Sequence, residues 1–217
     1  MNWPGVRLVV FDLDGTLVDS VEDLTTAVNA ALARLGARTP LALESVRRFV
    51  GDGARRLVER SLAATGLAVA VDEVLPIFMD CYRAHLLDTT RLYPGVIETL
   101  DALRERGLAV LTNKPGELSR AILAGLGVAE RFVHIWGGGD VPRPKPDPEG
   151  LRRLMHACAA NTTDTIVVGD SAIDVATARA AGVRCVGVTY GLAPEGFAEA
   201  PPDWRCDDLR ELIALLT

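Results

Sequence analysis

The chain has 217 residues, room for one sizeable domain or for a core with a smaller appendage. Hydrophobic residues make up 49% of it, yet no run approaches the roughly 18 uncharged apolar residues that a membrane-crossing helix needs. Its 23 basic and 29 acidic residues leave a net charge of −6, which argues against non-specific nucleic-acid or membrane-surface binding, because both need a basic face.

Met1-Asn2-Trp3-Pro4 leads straight into a strand-like run without a basic n-region or a small-residue cleavage site, and a cytoplasmic protein is expected. Residues 6–11 form a short, nearly all-apolar run, the mark of a strand buried on both faces. From about residue 18 to 85 the pattern turns helical, over 21–35, 43–50, 54–64 and 71–87, with no convincing strand. Gly36, Pro40, Gly51, Gly53 and Gly66 punctuate it. Tyr93-Pro94-Gly95 marks a return, and a helix over 96–106, with Ile97, Leu100 and Leu103 on one face, closes at Gly107. Strands are then expected at 108–111, 133–136, 165–168 and 183–188, separated by helices at 119–126, 149–159 and 174–181. The alternation predicts a parallel sheet covered by helices on both faces. Its core comprises residues 1–17 and 90–217, interrupted by a helical unit over 18–89. Residues 198–202 read as a simple surface loop.

The four cysteines, Cys81, Cys158, Cys185 and Cys206, lie too far apart for a zinc site and read as reduced, buried or incidental thiols. His85, His134 and His156 are scattered, with no nucleophile motif beside them. The most informative string is Phe11-Asp12-Leu13-Asp14-Gly15-Thr16-Leu17-Val18-Asp19-Ser20, in which an apolar strand runs directly into two aspartates. Ligands of open parallel sheets bind beyond the carboxyl ends of the strands. Side chains two apart in extended backbone point the same way, so Asp12 and Asp14 can face one site, and Gly15 lets the chain turn straight after them. Neighbouring carboxylates repel one another, which favours a cation there, and oxygen ligands suit Mg2+. Gly137-Gly138-Gly139-Asp140 is glycine-rich, but no Gly-Lys-Ser/Thr follows, so it is not a nucleotide P-loop. Gly51-Asp52-Gly53 fits a tight turn at a helix start, where free N–H groups can meet an anion, and equally a plain helix–helix loop.

Asp12-Leu13-Asp14-Gly15-Thr16 resembles the first motif of the haloacid dehalogenase superfamily, and the remaining motifs follow in order. Leu111-Thr112-Asn113-Lys114 is similar to motif two. Lys145, within Pro142-Arg143-Pro144-Lys145-Pro146-Asp147-Pro148, is similar to the motif-three lysine, and Gly169-Asp170-Ser171-Ala172-Ile173-Asp174 to the acidic motif four. The resemblance spans essentially the whole chain. It implies an α/β fold with a Rossmann-like, doubly wound parallel-sheet core and an inserted α-helical cap of the C1 type. It also implies that Asp12 is the nucleophile that forms an aspartyl phosphate, and that Mg2+ is held by Asp12, the Asp14 carbonyl and Asp170. Lys145 then adds fixed positive charge, Thr112 and Asn113 donate to the phosphoryl oxygens, and Asp174 orients the metal site from behind. Asp14 protonates the departing alkoxide and later takes a proton from water. A carboxylate with an ordinary pKa of about 3.9 is ionised at neutral pH, so Asp12 needs no activating base.

The unit 18–89, lying between motifs one and two, resembles a cap that closes over the site and presents specificity residues to the leaving group. Hinges are expected near residues 17–20 and 86–93. Val46-Arg47-Arg48-Phe49-Val50-Gly51-Asp52-Gly53-Ala54-Arg55-Arg56-Leu57-Val58 resembles the bacterial phosphoglycolate phosphatase branch, as do Asp19-Ser20 and Tyr93-Pro94-Gly95-Val96. A two-carbon acid as leaving group needs a cation or N–H cluster in the cap, and Arg55 with Gly51 and Gly53 is the candidate set. The resemblance thus implies a Mg2+-dependent phosphomonoester hydrolase, monomeric or homodimeric, acting on a small organic phosphate, 2-phosphoglycolate first. Another sugar phosphate or a nucleotide as substrate, a β-phosphoglucomutase-like phosphomutase, and a catalytically silent binding homologue are the alternatives. A haloacid dehalogenase has no need of Asp14, and a receiver-type signalling domain has no place for the cap.

Overall fold

Residues 2–217 are described by a computed structural model of the chain. The first part runs β1 (Leu8–Phe11), β2 (Val18–Asp19), α1 (Val21–Arg34), α2 (Leu43–Arg47), α3 (Ala54–Thr65), α4 (Val71–Ala84), β3 (Arg91–Leu92) and α5 (Val96–Ala102). The second runs β4 (Gly107–Pro115), α6 (Gly116–Gly125), β5 (His134–Gly138), α7 (Glu149–Ala157), β6 (Thr165–Gly169), α8 (Ala172–Ala181), β7 (Arg184–Val188), β8 (Trp204–Cys206) and α9 (Glu211–Leu216). No helix among the described residues is long and apolar enough to cross a membrane.

The main sheet is parallel, in the order β5-β4-β1-β6-β7-β8. All four side chains of β1 are buried because both faces are covered. Val9 and Phe11 pack with Val96, Leu100, Ile122 and Leu212, whereas Leu8 and Val10 pack with Leu151, Leu154, Val175 and Ala178. This two-sided burial is why the strand reads as an unbroken apolar run. Strand order reverses at β1, since β4 and β5 lie on one side and β6 to β8 on the other. A crevice therefore opens beyond the carboxyl ends of β1, β4 and β6.

Helices α1 to α4 gather round a cluster of their own, with Leu24, Val28, Leu57, Phe78 and Tyr82 at its centre, and Leu118 of α6 reaches into it. The two connections to the sheet run side by side as the antiparallel pair β2–β3. Asp23, one turn into α1, locks them: its carboxylate accepts the N–H and hydroxyl of Thr89 at 2.9 and 2.7 Å and those of Thr90 at 2.8 and 2.7 Å. Burial works against that charge, but the four donors outweigh it and hold the Asp23 carboxyl below its ordinary value.

Several expected boundaries differ. The helix expected over 96–106 stops at Ala102, because Gly107 already donates to the Arg7 carbonyl at 2.8 Å as the first rung of the β4–β1 pairing. The one expected over 71–87 ends at Ala84. Part of the stretch read as a plain surface loop near residue 198 is the end of a 3-10 turn over Pro194–Ala198. The pair β2–β3, the three-residue edge strand β8 and the six-residue α9 lie below the length at which periodicity speaks.

Candidate active site

β1 delivers Asp12 to the crevice, with its N–H bonded to the Val168 carbonyl of β6 at 2.9 Å. The chain then turns at once: the Leu13 carbonyl accepts the N–H groups of Leu17 and Val18, and Gly15 takes a φ of +86°. That turn brings Gly15 so close to Asp170 that a Cβ on it would lie 2.2 Å from Asp170 Oδ2. Asp170 follows β6 directly, and its Oδ2 accepts the N–H groups of Leu192 and Ala193 at 2.6 and 3.3 Å. Among the described residues its other oxygen has only Thr16 Oγ1, at 3.5 Å.

β4 contributes through an irregularity. Between Leu111 and Pro115 it advances four residues while β5 advances two, from Trp136 to Gly138, so Thr112, Asn113 and Lys114 leave the regular ladder. The glycine run on β5 makes this fit, since a Cβ on Gly137 would lie 2.3 Å from the Lys114 carbonyl oxygen. Close backbone approach, not phosphate binding, accounts for that run. Thr112 lines the crevice, and its Oγ1 accepts the Lys114 N–H at 3.3 Å. The Asn113 side chain does not face the crevice as a free donor, contrary to expectation. Its Oδ1 accepts the Lys145 N–H at 2.8 Å, and its Nδ2 donates to the carbonyls of Lys145 and Gly51 at 3.0 and 3.1 Å.

Lys145 Nζ stands 2.9 Å from Asp12 Oδ1 and 2.6 Å from Asp174 Oδ1. Burial opposes its charge, but the two carboxylates outweigh it and raise its pKa further, so the lysine is held protonated. Asp174 sits in the first turn of α8, and its Oδ2 accepts the N–H and Oγ of Ser171 at 3.1 and 2.6 Å. Both its oxygens are thus engaged with protein donors. The Asp12 contact with Lys145 is an ion pair off hydrogen-bonding geometry, which leaves Asp12 Oδ1 buried without a hydrogen-bond partner. Such an orphan is costly unless something else meets it.

Ligand oxygens of Asp12, Asp170 and Asp174 come within 4.8 Å of one another. Three carboxylates against one ammonium leave a surplus of two negative charges, which a divalent cation matches. Burial, with the charge of Asp174 adding to it, pushes Asp12 up to about 6 against the pull of Lys145. Burial and then the charges of Asp174 and Asp12 push Asp170 up to about 8. Crowded hard oxygens, two of them lightly engaged, fit Mg2+ held by Asp12 and Asp170, with Asp174 steadying the lysine behind.

Asp14 is gripped by two side chains. Lys114 Nζ lies 3.1 Å from both its oxygens, and Ser20 Oγ donates to Oδ1 at 2.5 Å. Lys114 also reaches Tyr82 Oη on α4 at 2.6 Å. Asp14, Lys114 and Tyr82 border a cavity of about 40 Å3 whose far wall is apolar, formed by Leu24, Leu57, Phe78, Met79 and Leu118. Gly51 and Gly53 line it, but Arg55 does not. The Arg55 side chain lies on the outer surface, paired with Asp72 at 2.6 Å and Glu59 at 3.6 Å. At the start of α3 the glycine backbone and the apolar Ala54 and Leu57 turn inward, so among the described residues no cation of that helix lines the cavity. Lys114, Tyr82 and Ser20 carry no role in the linear reading. The one available signal was the place of Lys114 directly after Thr112-Asn113 at a strand end.

The family description "Haloacid dehalogenase-like hydrolase" matches residues 9–188. Among curated proteins, phosphoglycolate phosphatase 1 of Pseudomonas aeruginosa is 44% identical over 216 residues, covering 95% of this chain and 78% of that protein. Phosphoglycolate phosphatase of Pseudomonas putida is 43% identical, covering 97% of this chain and 80% of that protein. Among solved structures, a "predicted phosphoglycolate phosphatase" from Haemophilus somnus superposes with a TM-score of 0.93 at 32% identity, over 98% of this chain and 99% of that one.

Proposed function

The chain belongs to the haloacid dehalogenase-like hydrolase family and is a phosphoric monoester hydrolase, and from that premise we propose a Mg2+-dependent phosphatase that passes a phosphoryl group through Asp12 to water. The observation that supports this most is the Asp12 carboxylate, buried at a strand end in an ion pair with Lys145 and close to Asp170. Mg2+, when bound by Asp12 and Asp170, would neutralise the repulsion between the attacking carboxylate and the phosphate dianion. Even at a pKa of about 6, Asp12 is ionised in roughly nine molecules of ten at neutral pH. An Asp12 oxygen forms the new bond to phosphorus as the ester bond breaks, and Asp14 supplies a proton to the leaving oxygen. Water then attacks the aspartyl phosphate, Asp14 takes up its proton, and the Asp12–phosphorus bond breaks to release phosphate. Thr112 donates to the phosphoryl oxygens, and Lys145 stays charged throughout.

Residues 18–89 act as the cap in this scheme, docked on the core through the Gly51–Asn113 and Tyr82–Lys114 contacts. A cavity of about 40 Å3, the room of roughly three waters, suits a small leaving group. Together with the phosphatases it resembles, this makes 2-phosphoglycolate the leading substrate and the cytoplasm the expected setting. Turnover of p-nitrophenyl phosphate with Mg2+, abolished by Asp12→Asn, tests the chemistry. Steady phosphate release without a bisphosphate activator separates a hydrolase from a mutase. A phosphate-release panel over metabolites, ranked by kcat/KM, tests the substrate. The proposal fails if Asp12→Asn retains wild-type turnover.

A further inference from the structure

Two buried lysines reach the site, and the phosphoryl chemistry uses only Lys145. Lys114 leaves the bulged end of β4 with its side chain almost wholly buried, and its ammonium contacts Asp14 and Tyr82 Oη. Among the described residues it is the one basic side chain that lines the cavity. Burial opposes its charge, but Asp14 and Tyr82 outweigh that and hold it protonated.

Apart from Asp12, Asp14, Thr112, Tyr82 and Lys114 itself, the side chains that wall the cavity are apolar. Leu24, Leu57, Phe78 and Leu118 offer nothing to an anion, and Arg55 faces solvent on the other side of α3. A carboxylate moved from water into such a space without a counter-charge is strongly disfavoured by the hydration it loses. An ammonium carries three N–H donors, which here go to the two Asp14 oxygens and Tyr82 Oη, so an incoming carboxylate takes over the donor of one of the two 3.1 Å Asp14 contacts. Tyr82 is fully buried on α4 and stacks on Phe78, so the lysine is steadied from the cap only when the cap is docked.

We propose that Lys114, steadied by Tyr82, receives the carboxylate of the leaving group and so selects two- and three-carbon phospho-carboxylic acids over neutral monoesters. This rests on the phosphatase reading above and deepens it by assigning specificity to a core lysine in place of a cap arginine. A neutral analogue forgoes the charge-assisted contact to the ammonium, which stays paired with Asp14 and Tyr82, and the two substrates then differ in kcat/KM by the strength of that contact. Arg47 on α2 is the nearest rival: it is half-buried and close enough to Tyr93 for its charge to be felt there, but it does not line the cavity.

The test compares kcat/KM for 2-phosphoglycolate and for ethyl phosphate, which has the same two-carbon chain without the carboxylate. It uses the full-length wild type, Lys114→Met, Lys114→Arg, Tyr82→Phe and Arg47→Met, each checked for folding by thermal denaturation. The wild type is expected to favour phosphoglycolate, and Lys114→Met to shrink that ratio roughly a hundredfold, mostly through the KM for phosphoglycolate. Lys114→Arg restores part of the ratio. A lysine that merely positions Asp14 would lower both substrates alike and leave the ratio unchanged, which overturns the assignment. A ratio that collapses in Arg47→Met but not in Lys114→Met overturns it as well. Should Lys114→Met not fold, Tyr82→Phe decides: a ratio lowered severalfold supports the proposal, and an unchanged one refutes it. If the wild type hydrolyses neither ester nor p-nitrophenyl phosphate, the phosphatase reading itself has failed.

Discussion

The side chain of Asn113 pairs with the backbone of Lys145 in both directions, accepting its N–H at 2.8 Å and donating to its carbonyl at 3.0 Å. A side-chain amide here replaces a rung of sheet, tying the end of β4 to the loop before α7. The same Nδ2 reaches the Gly51 carbonyl, so one residue joins strand, lysine loop and cap. Asn113→Ala leaves a buried N–H and carbonyl unpaired, each worth about 1–3 kcal/mol. The Lys145 ammonium then loses its placement between Asp12 and Asp174. We expect kcat with p-nitrophenyl phosphate to fall roughly ten- to hundredfold, and the urea midpoint to drop with the m-value unchanged. A variant with wild-type kcat would show that Lys145 needs no such splint.

Metal binding should depend on pH in a definite direction. Asp12 and Asp170 hold protons up to about 6 and about 8, chiefly because they are buried. A divalent cation must displace those protons, so its affinity rises with pH through this window and levels off above it. The stability of the metal-free protein moves the other way. Both folded values lie above the unfolded carboxylate value of about 3.9, so the native state binds more protons there and loses stability as pH rises. The thermal shift produced by Mg2+ over EDTA should therefore grow from about pH 5 to about pH 8. A shift that shrinks over that range would contradict this assignment of the metal ligands.

Asp23 behaves oppositely. Its four donors hold the carboxyl below the ordinary value despite burial, so its contribution is complete above about pH 4 and lost as pH falls through the lower folded value. Asp23→Ala should cost about 3 kcal/mol at neutral pH, since the hydrogen bonds removed go to a charged acceptor. Because those bonds join α1 to residues 89 and 90, the variant should also be cut faster by proteases between β2 and β3. Limited proteolysis and urea unfolding at two pH values check both effects.

Arg55→Ala should leave kcat and KM for 2-phosphoglycolate within about twofold of wild type, because an exposed ion pair contributes little. Its partners Asp72 and Glu59 lie on the cap surface, away from the cavity. A large rise in KM would mean that α3 turns over when substrate binds.

How much was legible in the linear order follows from where each group sits. Asp12, Asp14 and Asp170 stand at the ends of strands buried on both faces, so an unbroken apolar run ending in carboxylates announces them. Lys145 stands in a loop with no periodicity of its own, and the flanking prolines with its place between motifs two and four mark it. The Gly51–Gly53 turn shows itself through its glycines, whereas the outward aim of Arg55 does not, because helical spacing says nothing about which face meets the core. Asp174 and Asn113 are visible as site residues, and Ser171 is a local helix-cap partner of Asp174, but their contacts with Lys145 and Gly51 are settled by packing between distant segments.

The sequence by itself determined the chemistry: an aspartate pair beyond a buried strand, three further motifs in order, and a helical insertion between the first two. Local pattern suffices for that, since strand burial, turn glycines and strand-end carboxylates are written in neighbouring residues. Only the tertiary structure decided which cation lines the cavity. The bulge between Leu111 and Pro115 aims Lys114 inward against Asp14 and Tyr82, residues 100 and 32 positions away, while Arg55 turns out toward Asp72. Electrostatics in a small buried cavity depends on such long-range neighbours, and no spacing along the chain encodes them.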